Sequence, residues 1–172
     1  SAILLSTKLF ANFNGEQQKV LVQIILSMLD QDLTVVKKCV AENLPTIIGF
    51  LQSTPSEGNE LVDWNEIVQV VTKITQDRMD GVKMYAIHSI AALVGKVSMR
   101  GDLIPLLIEL LKDTNWRIKY VICEKFPDLF AYFQYEPFDQ MDYVNYFVKY
   151  CADGEAEVRA SAVMKLPFVM EQ

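Results

Sequence analysis

The sequence predicts an all-α fold, a solenoid built from about four stacked helix pairs. Three observations carry that expectation. First, an apolar β-branched residue followed by a base returns four times, at Val36-Lys37, Val82-Lys83, Ile118-Lys119 and Val158-Arg159, in steps of 46, 36 and 40 residues. Second, the register extends beyond the pair. Leu44, Ile90, Phe126 and Leu166 stand eight positions on, and Pro45, Ala91, Pro127 and Pro167 follow them; Gln31, Asp77, Asp113 and Asp153 stand five positions before. Third, apolar residues on both sides of each phrase recur three or four apart, the spacing of one helix face. A period of this length marks one supersecondary unit stacked on itself, each unit burying its apolar face against its neighbours.

Each period reads as a first helix, A, a tight turn, and a second helix, B. The expected A stripes are Val20/Ile24/Leu26/Leu29, then Ile67/Val70/Val71/Ile74, then Leu106/Leu107/Leu110/Leu111, then Val144/Phe147/Val148/Cys151. The third A helix is expected to start after Asp102 as N-cap, with Pro105 in its first turn, where amides lack intrahelical partners. The fourth is expected from about Asp142. The turns are 31–34, 77–81, 113–116 and 153–156, rich in residues that accept turn geometry or cap a helix. The expected B columns are Val36/Val40/Leu44, Val82/Ala86/Ile90, Ile118/Ile122/Phe126 and Val158/Ala162/Leu166. Proline inside a helix removes a hydrogen bond and clashes with the preceding turn, so Pro45, Pro127 and Pro167 predict a kink or break that curves the array. The approximate repeats are 16–53, 60–97, 102–134 and 139–172, with 1–13 the tail of an earlier B helix. Neither end carries a polar cap, so the expectation is one stretch of a longer array.

Composition narrows the function classes. The chain has 172 residues, 51% of them hydrophobic, and a net charge of −6. An acidic balance argues against a nucleic-acid partner, which needs clustered cations. No apolar run is long enough to span a membrane. Cys39, Cys123 and Cys151 are few, odd in number and unpatterned, which suits a reducing compartment: the cytoplasm, with the nucleus as second choice. Cys123 falls in an apolar column with Ala41, Ile87 and Val163, as a core cysteine would. His88 is the only histidine. No metal-ligand spacing, phosphate loop or nucleophile motif occurs, so no cofactor, metal or small-molecule substrate is expected. Glu155 and Glu157 read as solvated turn residues rather than an acid–base pair.

An A helix, a short turn, a B helix entered through Asp-x4-[Val/Ile]-[Lys/Arg], and a later proline together resemble the HEAT repeat. The stretch from Asp113 through Trp116, Arg117, Ile118 and Lys119 to Phe126-Pro127 is similar to the Trp-Arg-Val-Arg repeat entrance of the scaffolding A subunits of protein phosphatase 2A. One repeat on, Glu157-Val158-Arg159-Ala160-Ser161-Ala162 looks like that family's Glu-Val-Arg-Ala-Ala-Ala phrase. Asp77 to Ile90 also fits; from the first of these phrases to the last, 77–162, the resemblance spans about half the chain. Gln31 and Ala91 depart from the pattern, which puts an unbroken charge ladder and a bend in the second B helix in doubt.

The resemblance implies a right-handed superhelix without catalytic activity. Its A–B turns would hold regulatory B-type subunits together with a phosphatase catalytic subunit. Carried over, the binding candidates are Trp116 and Arg117 with Asn115 and Thr114, and on the homologous rims Arg78, Met79, Asp80, Glu155 and Glu157. The implied inter-repeat ladder comprises Asp77, Lys83, Asp113, Lys119, Asp153 and Arg159, an aspartate meeting a base of the adjacent repeat. Trp116 has two readings, an interface anchor or a wedge folded on its own helices. The aromatic group Tyr132, Phe133, Tyr135, Phe138, Tyr143 and Tyr146 reads as core, with an exposed patch the alternative. The alternative function is another HEAT adaptor, either a nuclear-transport receptor or a chromosome-organising component. The B helices carry Lys37, Lys38, Lys83, Lys119, Lys125, Arg159 and Lys165, unlike the acidic concave face that a receptor for basic cargo would need.

Overall fold

The computed structural model describes residues 15–31, 33–53, 63–93, 100–133 and 140–170. Every regular element among them is an α-helix. They run α1 Gly15–Asp30, α2 Thr34–Ser53, α3 Trp64–Thr75, α4 Asp80–Leu93, α5 Arg100–Leu111, α6 Trp116–Phe133, α7 Gln140–Cys151 and α8 Ala156–Met170. Odd-numbered helices are the A helices and even-numbered ones the B helices. The chain divides into two compact units, 1–93 and 94–172. The partial repeat expected at 1–13 lies outside the described residues, as do the loops around Pro55 and Pro137 and the side chains of Tyr132, Phe133, Tyr135 and Phe138.

In the first unit, α2 packs along α4 and α1 along α3, B on B and A on A, and each A helix also packs on its own B helix. The shared core holds Val22, Ile25, Val40, Leu44, Ile48, Ile67, Val71, Ile74, Val82, Ala86 and Ile90. Asp63 caps α3 by accepting the Asn65 N–H at 2.9 Å. In the second unit α6 packs along α8, again B on B, with α5 and α7 against their B helices. Phe126 is its centre. The Tyr143 ring stacks on it at 4.3 Å and 5°, and Phe147 meets it at 4.1 Å and 39°. Tyr143 is therefore core, as expected, and Tyr146 is half-buried.

The B columns of the second and third repeats are buried throughout, and Val158 and Ala162 continue the pattern in the fourth. At the ends the burial loosens: Val36 and Leu166 are half-buried, and Val163 is exposed where its register-mates Ala41, Ile87 and Cys123 are buried. Two A stripes are rotated from the expectation. In α1 the inward face is Gln18, Val22, Ile25 and Leu29, while Val20 and Ile24 are 57% and 45% exposed. That helix is apolar on nearly every face between residues 20 and 29, so spacing alone does not select one. In α7 the inward residues are Tyr143, Phe147 and Tyr150, and Val148 is 60% exposed. Large aromatic rings fill the space that smaller aliphatic side chains were expected to fill.

Two further expectations are corrected. Helix α5 starts at Arg100, two residues before Asp102, so Asp102 lies in its first turn and Pro105 inside the helix. And of the expected kink or break, the break does not occur: α2, α6 and α8 each run continuously past Pro45, Pro127 and Pro167. Each forfeits one backbone bond, which burial of the rest of the helix outweighs.

Candidate functional site

The four A–B turns share two backbone hydrogen bonds. At the end of each A helix the next repeat-register residue donates its N–H to the carbonyl three back. Gln31 does so to Met28, Asp77 to Ile74, Asp113 to Leu110 and Asp153 to Tyr150, at 3.1 to 3.3 Å. Two residues further stands the carbonyl that starts the B helix. Leu33, Met79, Asn115 and Glu155 accept the N–H of Lys37, Lys83, Lys119 and Arg159 at 3.0, 3.1, 3.2 and 3.2 Å. The repeated base is thus the fourth residue of the first B turn. The β-branched residue before it is buried in the last three repeats and half-buried in the first.

The aspartates make the turn. The Oδ1 of Asp77 accepts the Met79 N–H, that of Asp113 the Asn115 N–H, and that of Asp153 the Glu155 N–H, at 2.9, 2.9 and 3.0 Å. Each bond folds a carboxylate back onto an amide two residues on, satisfying a donor the helix start leaves open. Asn115 repeats the device one step later, accepting the Arg117 N–H at 2.9 Å. In Asp77 and Asp153 the second carboxylate oxygen faces the preceding repeat of the same unit. Asp77 Oδ2 lies 3.4 Å from Lys37 Nζ, and Asp153 Oδ2 lies 2.8 Å from Lys119 Nζ. The Glu155 N–H, then Lys119, hold the Asp153 carboxyl below its ordinary value. Arg159, six residues after Asp153, reaches the backbone instead: its Nη1 donates to the carbonyls of Asp153 and Gly154 at 2.6 and 2.9 Å.

Lys37 is not among the ladder residues named from the sequence. Each observed contact joins an aspartate to a base of the adjacent repeat, forty residues from Lys37 to Asp77 and thirty-four from Lys119 to Asp153.

The remaining candidates lie along the turns. Thr114, Arg117, Arg78, Glu155 and Glu157 are exposed; Asn115, Trp116, Met79 and Asp80 are half-buried. Trp116 is the first residue of α6, and the Arg117 guanidinium sits 4.6 Å from its ring centroid. A cation over an indole face is held by the ring's quadrupole, and the pair offers a flat, charged surface. Gly81 is open in the same sense: a Cβ there would meet nothing.

Other reactive groups are placed plainly. Cys123 is buried, and burial above all, with Cys151 and Asp153 nearby, pushes its thiol up to about 12. All three cysteines are free. His88 is half-buried, its ring 6.1 Å from that of Tyr85. Among the described residues no group of three His, Cys, Asp or Glu side chains could hold a metal ion, and no helix is long and apolar enough to cross a membrane.

No protein-family model matches the chain. The chain is 27% identical over 122 residues to the A-type regulatory subunit of protein phosphatase PP2A from Saccharomyces cerevisiae, an alignment that takes in 67% of this chain. The chain spans only 19% of that relative's length.

Proposed function

We propose that this chain is a stretch of a HEAT-repeat scaffold of the protein phosphatase 2A type, holding B-type regulatory subunits together with a catalytic subunit on its A–B turns. The observation that carries the reading is the Trp116–Arg117 pair. The four turns keep the same two backbone hydrogen bonds, yet the residue opening the B helix is Thr34, Asp80, Trp116 or Ala156. A turn that forms equally well with threonine or alanine has no structural need of a tryptophan. Aromatic and arginine side chains together are the composition of an interface anchor. The similarity to a yeast phosphatase regulatory subunit supports the choice of partner.

The test uses the full-length protein with Trp116→Ala, titrated separately with a purified B-type subunit or with the phosphatase 2A catalytic subunit. Loss of a central aromatic anchor weakens binding by about 2 kcal/mol, roughly thirtyfold. The urea midpoint should be nearly unchanged, since the buried column starts at Ile118. Unaltered affinity for both subunits would remove the binding role; a variant that unfolds would make Trp116 a wedge.

A further inference from the structure

Each B helix keeps one row of positions at the surface even where the next repeat is stacked on it. Six and ten residues after the β-branched position, Glu42 and Thr46 on α2 and Glu124 and Asp128 on α6 are exposed, although α2 packs along α4 and α6 along α8. On α4 the same positions are His88 and Ala92, both half-buried. On α8 they are Met164 and Phe168, 72% and 53% exposed.

The neighbouring face of α8 behaves differently. Val163 is exposed there, and its register-mates Ala41 and Cys123 are buried on helices that carry a following B helix. A further repeat placed on α8 would cover Val163 in the same way. It would leave Met164 and Phe168 open, as Glu42, Thr46, Glu124 and Asp128 are open. Stacking between repeats accounts for the valine and not for the other two. Two large apolar side chains one helical turn apart, in a register that α2 and α6 keep polar, form a patch suited to contact outside the array.

The patch continues the turn edge. Trp116 and Tyr120 stand one turn apart on one side of α6, both half-buried, and Ala156 and Ala160 hold their register on α8, both exposed. Charge does not select what lies here, because Glu124, Asp128 and Glu157 are balanced by Arg117, Lys125 and Lys165. Lys125 pairs with Asp128, Tyr120 donates to Glu124, and the Arg117 and Lys165 cations sit over the Trp116 and Phe168 rings. The backbone of a helical surface offers no ladder to an extended strand, so an incoming segment must satisfy its own amides, as a helix does.

We propose that an amphipathic helix of a partner protein lies on this row, its apolar stripe against Met164 and Phe168 of α8 and Tyr120 of α6. The proposal rests on the reading of the turns as the partner-facing edge, since the row starts at Trp116, and it carries that edge onto the B helices. Methionine suits the contact because its unbranched side chain repacks against different surfaces.

The test uses substitutions that the register already holds. Met164→Glu copies Glu124 and Phe168→Asp copies Asp128, so both variants should keep the wild-type urea midpoint. The full-length protein is titrated by anisotropy with a labelled eighteen-residue helical peptide of Leu, Ala, Lys and Glu whose leucines form one stripe, and with a scrambled peptide of the same composition. The wild type should prefer the striped peptide, with little dependence on salt. Each variant should weaken that binding about tenfold, the effect of one apolar side chain left uncovered. Both variants and Trp116→Ala are also titrated with the B-type and the catalytic subunits. Equal striped-peptide binding by wild type and both variants overturns the proposal, as does a wild type that does not distinguish stripe from scramble. A wild type that dimerises in sedimentation while Phe168→Asp stays monomeric makes the occupant a second copy and also overturns it. If Trp116→Ala alone loses the phosphatase subunits, the scaffold reading stands and the helix row falls. If wild type binds neither subunit but still selects the striped peptide through Met164 and Phe168, the row stands and the phosphatase reading falls.

Discussion

Lys119 Nζ lies 2.8 Å from Asp153 Oδ2, across one repeat, while the other oxygen of the same carboxylate holds the Glu155 N–H at 3.0 Å. One side chain thus sets the turn of its own repeat and takes the base of the repeat before it. Lys37 and Asp77 stand in the same relation at 3.4 Å. The aspartate's recurrence has two physical reasons, and they are separable by substitution.

The Asp153 carboxyl is held below its ordinary value, first by the Glu155 N–H and then by Lys119. A depressed carboxyl contributes stability that is fully present above the unfolded-state value of about 4 and is lost as pH falls through the folded value. The urea midpoint should therefore drop as pH is taken from about 5 towards 3, and Asp153→Asn should flatten that drop. At neutral pH the Asn variant keeps an Oδ1 acceptor and loses the Lys119 pair, a cost of about 1 kcal/mol or less. Asp153→Ala loses both and should cost more, about 1–2 kcal/mol. Equal midpoints for the Asn and Ala variants would show that the turn bond contributes nothing.

Cys123 should be the last thiol to react. Its value of about 12 means almost no thiolate at pH 8.5, whereas Cys39 and Cys151 are half-buried. Alkylation of the folded protein, read by peptide mass mapping, should label those two and spare Cys123 until urea is added. The same raised value contributes stability that is present below about pH 8.5, the unfolded thiol's range, and is lost as pH rises towards the folded value. Native labelling of Cys123 at the rate of the other two would contradict the burial.

Where helix geometry and composition agree, the structure is legible in the sequence. Val82, Ile118 and Val158 are inward because each is the third residue of a helix whose start the turn aspartate marks, and the four-turn register follows from that one motif. The face of α1 is not legible, because Val20, Val22, Ile24 and Ile25 are equally apolar and only the neighbouring helix distinguishes them. The face of α7 departs from its expected stripe because the rings of Tyr143 and Tyr150 bury more apolar area than Val148 does, which spacing alone does not weigh. The prolines mark the register but do not break the helices, since propensity counts one lost bond and ignores the burial of a whole helix face.

Tyr150 joins two A helices. Its hydroxyl donates to the Leu111 carbonyl at 2.9 Å, at the end of α5 where carbonyls lack helical partners. Burial pushes the phenol well above its ordinary value, so it remains a donor across the working pH range. Tyr150→Phe keeps the ring and strands a carbonyl. The expected loss is about 1–2 kcal/mol, read as a lower urea midpoint. An unchanged midpoint would mean that water replaces the hydroxyl at no cost.

The first turn offers a gain. It has the two backbone bonds of the other three: the Gln31 N–H donates to Met28, and the Leu33 carbonyl accepts from Lys37 at 3.0 Å, as Met79 does from Lys83 at 3.1 Å. What differs is position 31, where the other three turns have aspartate. Glutamine's amide sits one methylene further out, and the short ring that Asp77, Asp113 and Asp153 close onto the amide two residues on is out of register for it. Gln31→Asp should close that ring onto the Leu33 N–H and raise stability by about 0.5–1 kcal/mol, the range of a helix-start cap. Gln31→Asn, which supplies the acceptor without the charge, should recover most of the gain, and Gln31→Ala none. The order Asp, Asn, then Gln and Ala in urea midpoint is the expected outcome. If all four are equal, the recurring aspartate is kept for its inter-repeat lysine and not for the turn.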